Sequence, residues 1–292
     1  MSKKHKNRKN KSSKQVNSQI IANYNENYDQ YERPASEPEE QHSASQKSNG
    51  ERPLSELELQ HPALLKSYSD LVPIGQGAQA TMIKAKDKDG QSVAIKVFDL
   101  KSTDEWKNVE LFEREIDVLK NIHVQGVPAY IDTIHSDEYI YLVEEYIDAQ
   151  SLEKQINSGR IYSVEECITI LEGVAKILDD LAKCNPPVVH RDIKPANLLV
   201  DESLNVFLVD FGVVADNTKT FSMTFAGTAG YVAPEQLYGK ATAVSDIFSL
   251  GMTCLHIFTG VAPADMQLDG IVPDVKRYMP KSAPKWIPDL IK

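Results

Sequence analysis

The sequence predicts an α+β protein in which a small β-rich lobe precedes a mainly helical lobe, with a cleft between them. Three observations carry this prediction. Short strand-like runs cluster within residues 70–144. Helical periodicity dominates after residue 150. The first 60 residues lack the apolar side chains that either pattern needs, so both lobes are expected to follow them.

The composition is that of a globular chain without a membrane span. Of 292 residues, 41% are hydrophobic and 25% are charged, which is ordinary for a domain with an apolar core. No run approaches 18 apolar residues, so we expect no transmembrane helix. Three scattered cysteines are too few for a disulfide framework or a zinc site, which favours a reducing, cytoplasmic location.

Residues 1–60 form a polar segment rich in Lys, Asn, Ser, Gln and Glu. Such a segment cannot bury enough apolar surface to offset its ordering entropy, so we expect a disordered tail. Residues 1–15 carry seven basic and no acidic residues, whereas the rest carries 25 basic and 42 acidic residues. This basic N-terminus could contact an acidic partner, RNA or lipid, or it could simply be solvated.

The β-rich lobe is expected to begin near Leu71. Strands are predicted at residues 70–74, 81–85, 93–98, 129–134 and 140–144. Residues 87–90 end in an Asp-Gly pair, which favours a hairpin between the second and third strands. A helix should follow the third strand, because Ser102 and Glu105 form a capping box and apolar residues recur from Trp106 to Ile122 at steps of three and four.

The helical lobe has a second capping box, Ser163 with Glu166. The helix that it starts should bury one apolar face, made of Ile168, Leu171, Val174, Leu178 and Leu181. Short strands are predicted at residues 198–200 and 206–209, and a further helix at about residues 243–258.

A glycine-rich turn lies between the first two strands. It comprises Ile74, Gly75, Gln76, Gly77, Ala78 and, after Gln79, Ala80. Glycines let backbone N–H groups approach phosphate oxygens closely, although the same residues also make ordinary hairpins. By itself the turn is therefore a weak indication of a phosphate site.

Lys96 ends a Val-Ala-Ile-Lys run in the third strand. A lysine in an apolar strand is costly to bury unless it is paired, so a carboxylate should lie nearby. Glu115, on the capped helix beside its apolar stripe, is the candidate partner. The alternative is a lysine that snorkels to solvent at a strand edge, with Glu115 on the surface.

Polar residues cluster at positions 190–197, between two apolar runs, as expected of a loop between buried elements. Asn197 within it, and Asp210 at the end of the next apolar strand, offer hard oxygen ligands suited to Mg²⁺. Asp192 can accept a proton from a hydroxyl, and Lys194 can neutralise charge on a phosphoryl group in transfer. Each residue alone could be a cap or a surface ion pair, but their order is specific.

Taken in order, these motifs resemble those of eukaryotic-type (Hanks-type) serine/threonine protein kinases, in a bacterial-looking form. The matching positions are the glycine loop, Lys96, Glu115, the His-Arg-Asp loop, Asp210-Phe211-Gly212 and Ala-Pro-Glu at 233–235. The resemblance implies the bilobal kinase fold, with a disordered tail at 1–60 and a kinase domain at 61–292. It divides that domain into an N-lobe at about 68–148 and a C-lobe at about 149–292.

The resemblance also implies roles for single residues. Asp192 would be the catalytic base, Lys194 would touch the γ-phosphate, and Lys96, oriented by Glu115, would hold the α- and β-phosphates. Asn197 and Asp210 would bind Mg²⁺, with Mn²⁺ as an alternative metal. The ATP site would comprise Ile74, Gly75, Gln76, Gly77, Ala78, Ala80, Met82, Ala94, Lys96, Leu199 and the backbone of Glu145 and Ile147. Asp246 would brace the catalytic loop, and Thr228 would bond the catalytic Asp and Lys.

The expected substrates are proteins with Ser or Thr acceptors, and autophosphorylation implies transient self-association. Arg191 would pair with a phosphate on Thr220, Ser222 or Thr224 of the activation segment. Three positions depart from the family: Ala80 replaces a glycine, Met82 replaces the usual valine above the adenine, and Glu144 stands at what resembles the gatekeeper position. The Glu144 carboxyl should either pair with a polar group or be neutral.

Three alternatives compete with an active kinase: a nucleotide-binding pseudokinase or scaffold, a small-molecule phosphotransferase, and a nucleic-acid-binding protein. The intact set of catalytic residues argues against the pseudokinase. The Ala-Pro-Glu segment argues against the small-molecule phosphotransferase, and the acidic body argues against the nucleic-acid-binding protein. The chain is shorter than the family usually is, so we also expect the last C-lobe helices to be missing. Glu235 would then lack its usual arginine partner, which could leave the chain inactive.

Overall fold

The computed structural model describes residues 54–76, 80–101, 106–212, 227–270 and 272–278. Several predictions lie outside these residues and stay predictions. They are tail disorder up to residue 53, the Gly77 and Ala78 positions, the Ser102–Glu105 capping box, the activation-segment hydroxyls and the missing helices after residue 278.

The ordered part of the chain begins before Leu71, contrary to the prediction that residues 1–60 are disordered. Helix α1 (Glu56–Gln60) is capped by Ser55, whose Oγ accepts the N–H of Glu58, while the Glu58 carboxylate accepts the N–H of Ser55. A 3₁₀ turn (Leu64–Lys66) follows and buries Leu64 completely. The composition of the tail hid this Ser-x-x-Glu capping signal and the leucines around it.

Five antiparallel strands form the N-lobe sheet in the order β1-β2-β3-β5-β4. They are β1 (Ser69–Gln76), β2 (Thr81–Lys86), β3 (Ser92–Asp99), β4 (Tyr130–His135) and β5 (Tyr139–Glu145). The predicted strands agree to within one or two residues, and the 87–90 hairpin is confirmed, with Gly90 at φ +77°. Leu64 and Tyr68 pack against one face of this sheet, where Ile83, Ile95 and Val143 are buried.

Helix α2 (Trp106–Asn121) packs against the opposite face of the sheet. Phe112, Ile116 and Leu119 are buried there, as the apolar stripe predicted. The ring of Phe112 stacks on Phe98 of β3 at a centroid distance of 5.0 Å. Glu115 is also buried, and its side chain faces Lys96 of β3.

The C-lobe is mainly helical. Its helices are α3 (Leu152–Asn157), α4 (Val164–Ala182), α5 (Ala243–Thr259) and α6 (Val275–Tyr278). Short strands complete it: β6 (Gln150–Ser151), β7 (Leu198–Val200) and β8 (Val206–Leu208) form one sheet, and β9 (Leu268–Asp269) pairs with β10 (Val272–Pro273). Among the described residues, no helix is long and apolar enough to cross a membrane.

The Ser163–Glu166 capping box of α4 is confirmed, with both reciprocal hydrogen bonds present. Leu171, Val174, Leu178 and Leu181 are buried as predicted. The inward placement of Ile168 is wrong, because that side chain is only half-buried. Cys167 and Ile170 lie in the core instead, because they fall at helical spacing on the face that carries Leu171, Val174 and Leu178.

Candidate active site

Lys96 lies between two carboxylates in the cleft between the lobes. Its Nζ atom is 2.8 Å from both carboxylate oxygens of Glu115 and 2.8 Å from Oδ1 of Asp210. Burial works against the charge on Lys96, but the two carboxylates outweigh it and raise its pKa. The predicted Lys96–Glu115 contact is therefore present, and the snorkelling alternative is excluded.

Asp210 follows strand β8 by two residues and lines the cleft. The Lys96 ammonium holds the pKa of its carboxyl at about 2, so the group is ionised at neutral pH. The next residue, Phe211, donates its backbone N–H to Oε1 of Glu115 at 3.1 Å, which ties α2 to this segment. Asp210 itself has φ +67°, a left-handed conformation that a non-glycine residue adopts only where its surroundings fix it.

The catalytic-loop candidates meet at one point. Thr228 Oγ1 donates to Asp192 Oδ1 at 2.8 Å, and Lys194 Nζ donates to the same Thr228 Oγ1 at 2.6 Å. Lys194 Nζ also lies 2.8 Å from Asp192 Oδ2. Gly227 allows this approach of Thr228, because a Cβ atom there would lie 2.6 Å from Val232 Cγ2. A carboxylate, an ammonium and a hydroxyl thus share one small volume of the cleft.

Asn197 lies directly behind Asp192. Its Nδ2 atom donates to the backbone carbonyl of Asp192 at 2.9 Å and to Asp192 Oδ2 at 3.1 Å. Among the residues that the structure describes, none donates a hydrogen bond to the Oδ1 oxygen of Asn197, so this oxygen can serve another ligand. One amide oxygen and the ionised Asp210 carboxylate are donors that Mg²⁺ accepts alongside substrate phosphates. The residues present therefore fit a magnesium ion.

Asp246, on α5, holds the backbone of the catalytic loop through two hydrogen bonds. Its Oδ2 accepts the backbone N–H of His190 and its Oδ1 that of Arg191, each at 2.8 Å. Arg191 has φ +70°, so the brace holds the loop in a conformation that costs energy. Burial raises the pKa of Asp246, against the lowering effect of His190 and of these two N–H groups.

The predicted nucleotide-site residues that the structure describes all line one cleft. They are Ile74, Gly75, Ala80, Met82, Ala94, Lys96, Glu145, Ile147 and Leu199, and the catalytic candidates Asp192, Lys194, Asn197 and Asp210 line it as well. Gln76 ends β1, but its side chain lies outside the described part of the chain. Arg114, for which the sequence predicted no role, also lines this cleft, and its one signal in the sequence is its position beside Glu115.

Arg114 and Arg191 form a pair of cations near the catalytic loop. Burial lowers the pKa of Arg191, and the charge of Arg114 lowers it further. Within the described ranges, the buried Nε atom of Arg191 has no hydrogen-bond partner. Two guanidinium groups that repel each other and leave a donor unpaired are suited to an anion such as a phosphate.

Two carboxylates differ in how the structure satisfies them. The expected lack of an arginine partner for Glu235 stays a prediction, but the carboxylate has another polar partner: Ser245 Oγ, in the first turn of α5, donates to its Oε1 at 2.6 Å. For Glu144, burial and then the Glu115 carboxylate raise the pKa to about 8. Of the two alternatives left open for Glu144, the neutral carboxyl is therefore the one that the structure favours at pH 7.

A two-lobed fold whose cleft holds a lysine–glutamate pair, an Asp-Lys-Asn loop and an Asp-Phe-Gly segment defines the protein-kinase class. The family model for the protein kinase domain matches residues 68–279, and the chain belongs to this family.

Relatives come from plants, yeasts and bacteria. The proline-rich receptor-like protein kinase PERK12 of Arabidopsis thaliana is 34% identical over 199 residues, 66% of this chain and 27% of that protein. The serine/threonine-protein kinase PrkC of Bacillus subtilis is 29% identical over 238 residues, 77% of this chain and 36% of that protein. A probable serine/threonine-protein kinase, pknA2 of Bifidobacterium longum, is 35% identical over 66% of this chain and 26% of that protein. The chain thus spans only about a quarter to a third of these relatives.

Proposed function

We propose that this chain is a serine/threonine protein kinase that transfers the γ-phosphoryl group of ATP to Ser or Thr hydroxyls of proteins. The observation that carries the proposal is the meeting of Asp192, Lys194 and Thr228. A carboxylate that can take a hydroxyl proton lies beside an ammonium that can neutralise phosphoryl charge. A nucleotide-binding scaffold would not need this arrangement.

The proposed reaction is an in-line displacement at the γ-phosphorus. The acceptor oxygen forms a bond to phosphorus as the bond to the β–γ bridging oxygen breaks, and ADP leaves with the electron pair. Asp192 Oδ1 or Oδ2 receives the proton of the acceptor hydroxyl. Lys194 lies against the transferring group, and Lys96, held by Glu115, binds the α- and β-phosphates.

Asn197 and Asp210 would hold magnesium, or manganese as an alternative. The metal, when bound, supplies positive charge that neutralises the phosphates. Ala94 and Leu199 would enclose the adenine, the backbone of Glu145 and Ile147 would bind its edge, and Met82 would cover it. The glycine turn from Ile74 to Ala80, including Gln76, Gly77 and Ala78, would cover the phosphates.

Regulation by autophosphorylation is part of this proposal. Arg114 and Arg191 would receive a phosphate on Thr220, Ser222 or Thr224, which requires transient association of two copies. A cytoplasmic location and contacts of the basic tail with an acidic partner, RNA or lipid also stay predictions.

The test is phosphate incorporation from labelled ATP with Mg²⁺ and a generic basic protein as acceptor. The wild type is compared with Lys96→Met and with Lys88→Met, a matched change at an exposed lysine of the β2–β3 hairpin. We expect equal activity from the wild type and Lys88→Met, and a loss of roughly 100-fold or more with Lys96→Met. Equal incorporation by all three proteins, or none by the wild type, would reject the proposed function.

A further inference from the structure

Gln236 is a buried amide in the 3₁₀ turn that follows Ala233. Its Oε1 atom accepts the backbone N–H of Ala233 at 3.0 Å, and its Nε2 atom donates to the backbone carbonyl of Arg191 at 2.9 Å. Because one partner is a donor and the other is an acceptor, the two bonds fix the direction in which the amide points. The side chain thus joins the Ala-Pro-Glu segment to the catalytic loop.

The carbonyl of Arg191 belongs to the peptide unit that leads into Asp192. Gln236 is the only donor to this carbonyl among the residues that the structure describes. At the other end of the same unit, the N–H of Asp192 donates to Nδ1 of His190 at 3.3 Å. Since a peptide unit is planar, these two bonds together fix the direction in which the backbone enters Asp192.

This peptide unit needs to be held, because Arg191 has φ +70°. The left-handed conformation costs energy for a residue other than glycine and persists only where the surroundings fix it. Asp246 holds the N–H of Arg191 from the side of α5, and Gln236 holds its carbonyl from the Ala-Pro-Glu segment. Loss of the Gln236 amide should therefore release one end of a strained link directly before Asp192.

Gln236 is not among the described residues that line the cleft, whereas Arg191 and Asp192 are. We propose that Gln236 is a positioning residue for phosphoryl transfer, which holds the Asp192 carboxylate in place by fixing the Arg191 carbonyl. The inference rests on the proposed function, in which Asp192 takes the proton of the acceptor hydroxyl. It follows that Asp192 is correctly placed only when the Ala-Pro-Glu segment is folded against the catalytic loop.

The alternative is that the Gln236 amide only stabilises the fold, and Ser249 of α5 separates the two roles. The Oγ atom of Ser249 donates to the backbone carbonyl of Tyr231 at 2.7 Å and to that of Ser245 at 3.1 Å. Ser249 is thus a buried side chain that holds the same stretch of backbone, but neither bond reaches the catalytic loop. Ser249→Ala is therefore the matched control for a merely structural loss.

The experiment measures kcat and KM for ATP, with labelled ATP and a generic basic protein, together with Tm and the affinity for ADP. Gln236→Met removes both bonds at similar volume. Gln236→Glu keeps the shape, and its carboxylate still accepts the N–H of Ala233, but it can donate to the Arg191 carbonyl only when it is protonated. The rate of Gln236→Glu relative to the wild type should therefore rise as pH falls from about 8 to about 5.5.

We expect Gln236→Met to lower kcat roughly tenfold or more, while KM for ATP and the affinity for ADP stay within about twofold of the wild type. Ser249→Ala should lower Tm by a comparable amount but keep kcat within about twofold of the wild type. This separation of rate from stability is what a merely structural role of Gln236 would not produce.

Wild-type kcat in both Gln236 variants, or an equal loss of kcat in Ser249→Ala and Gln236→Met, would overturn the inference while the proposed function stands. If Gln236→Met does not fold, recovery of the Gln236→Glu rate at low pH supports the inference, and a constant rate relative to the wild type overturns it. No phosphate incorporation by the wild type would reject the proposed function and the inference with it.

Discussion

The Nζ atom of Lys96 lies 2.8 Å from the Oε1 atom of Glu115, which links strand β3 to helix α2. Glu115 is almost fully buried and also accepts the backbone N–H of Phe211. One carboxylate therefore couples the sheet, the helix and the segment that follows Asp210. The orientation of the phosphate-binding lysine depends on the position of the whole helix.

Replacing Glu115 with Gln should lower the phosphorylation rate on the order of 100-fold, because the amide cannot hold the ammonium of Lys96 as a carboxylate does. The measurement is kcat with labelled ATP. Glu113→Gln, on the same helix and partly exposed, is the control and should retain wild-type activity. A full rate in Glu115→Gln would contradict the assigned role of the pair.

Thr228→Ala should reduce kcat roughly tenfold or more with little change in KM for ATP, because the hydroxyl orients Asp192 and Lys194 but does not contact the adenine. Thr228→Ser keeps the hydroxyl and should restore most of the rate. Steady-state kinetics on the three proteins tests this. Equal rates for the alanine and serine variants would argue against a positioning role.

Asp246→Asn should destabilise the fold by about 2 kcal/mol, because an amide offers one acceptor to two buried backbone N–H groups. For a domain of this size the corresponding fall in Tm is roughly 4–8 °C. Thermal unfolding followed by circular dichroism measures it. Asp265→Asn, at an exposed site, should leave Tm unchanged, and a similar fall in both variants would contradict the bracing role.

Leu64→Ala tests whether the segment before β1 belongs to the N-lobe. The side chain is completely buried against the sheet, so its loss should cost about 2–5 kcal/mol of unfolding free energy. Leu59→Ala, in the same segment but 65% exposed, should change stability by less than about 0.5 kcal/mol. Indistinguishable denaturation midpoints for both variants would mean that the segment contributes no core.

The Glu144 carboxyl predicts a pH dependence of stability. Its pKa rises from an ordinary 4.5 to about 8 on folding, so the folded protein keeps a proton that the unfolded chain releases. The stability that the protonated carboxyl of Glu144 adds to the fold is therefore lost progressively as pH rises from about 4.5 to 8. Glu144→Gln removes this penalty, so its stability relative to the wild type should increase with pH, by up to about 5 kcal/mol across this range. Parallel stability curves between pH 5 and pH 8 would contradict the raised pKa.

The sequence predicted the local elements well wherever periodicity and capping act within a few residues. The strands fall within one or two residues of their predicted positions, and the Ser163–Glu166 box starts α4 as expected. The resemblance to protein kinases also implied that Lys96, Glu115 and Asp210 share one site, and in the structure Lys96 Nζ lies 2.8 Å from both carboxylates.

What the sequence could not predict depends on contacts between distant segments. The bond from Ser245 to Glu235 needs the first turn of α5 to meet the preceding 3₁₀ turn (Pro234–Tyr238), which no local pattern encodes. The half-exposure of Ile168 depends on which face α4 buries in the core, which the helical periodicity alone left one position out. Helix α1 was not predicted, because the average composition of the first 60 residues is polar and its short capping box, Ser55 with Glu58, lies within them.

Phe211 and Thr228, which lie before and after residues 213–226 in the sequence, are both bonded to residues of the candidate active site. Phe211 is bonded to Glu115 at one end, and Thr228 is bonded to Asp192 and Lys194 at the other. A shift of either residue would therefore reach a catalytic candidate through a single side chain, Phe211 acting on Lys96 through Glu115 and Thr228 acting on Asp192 directly.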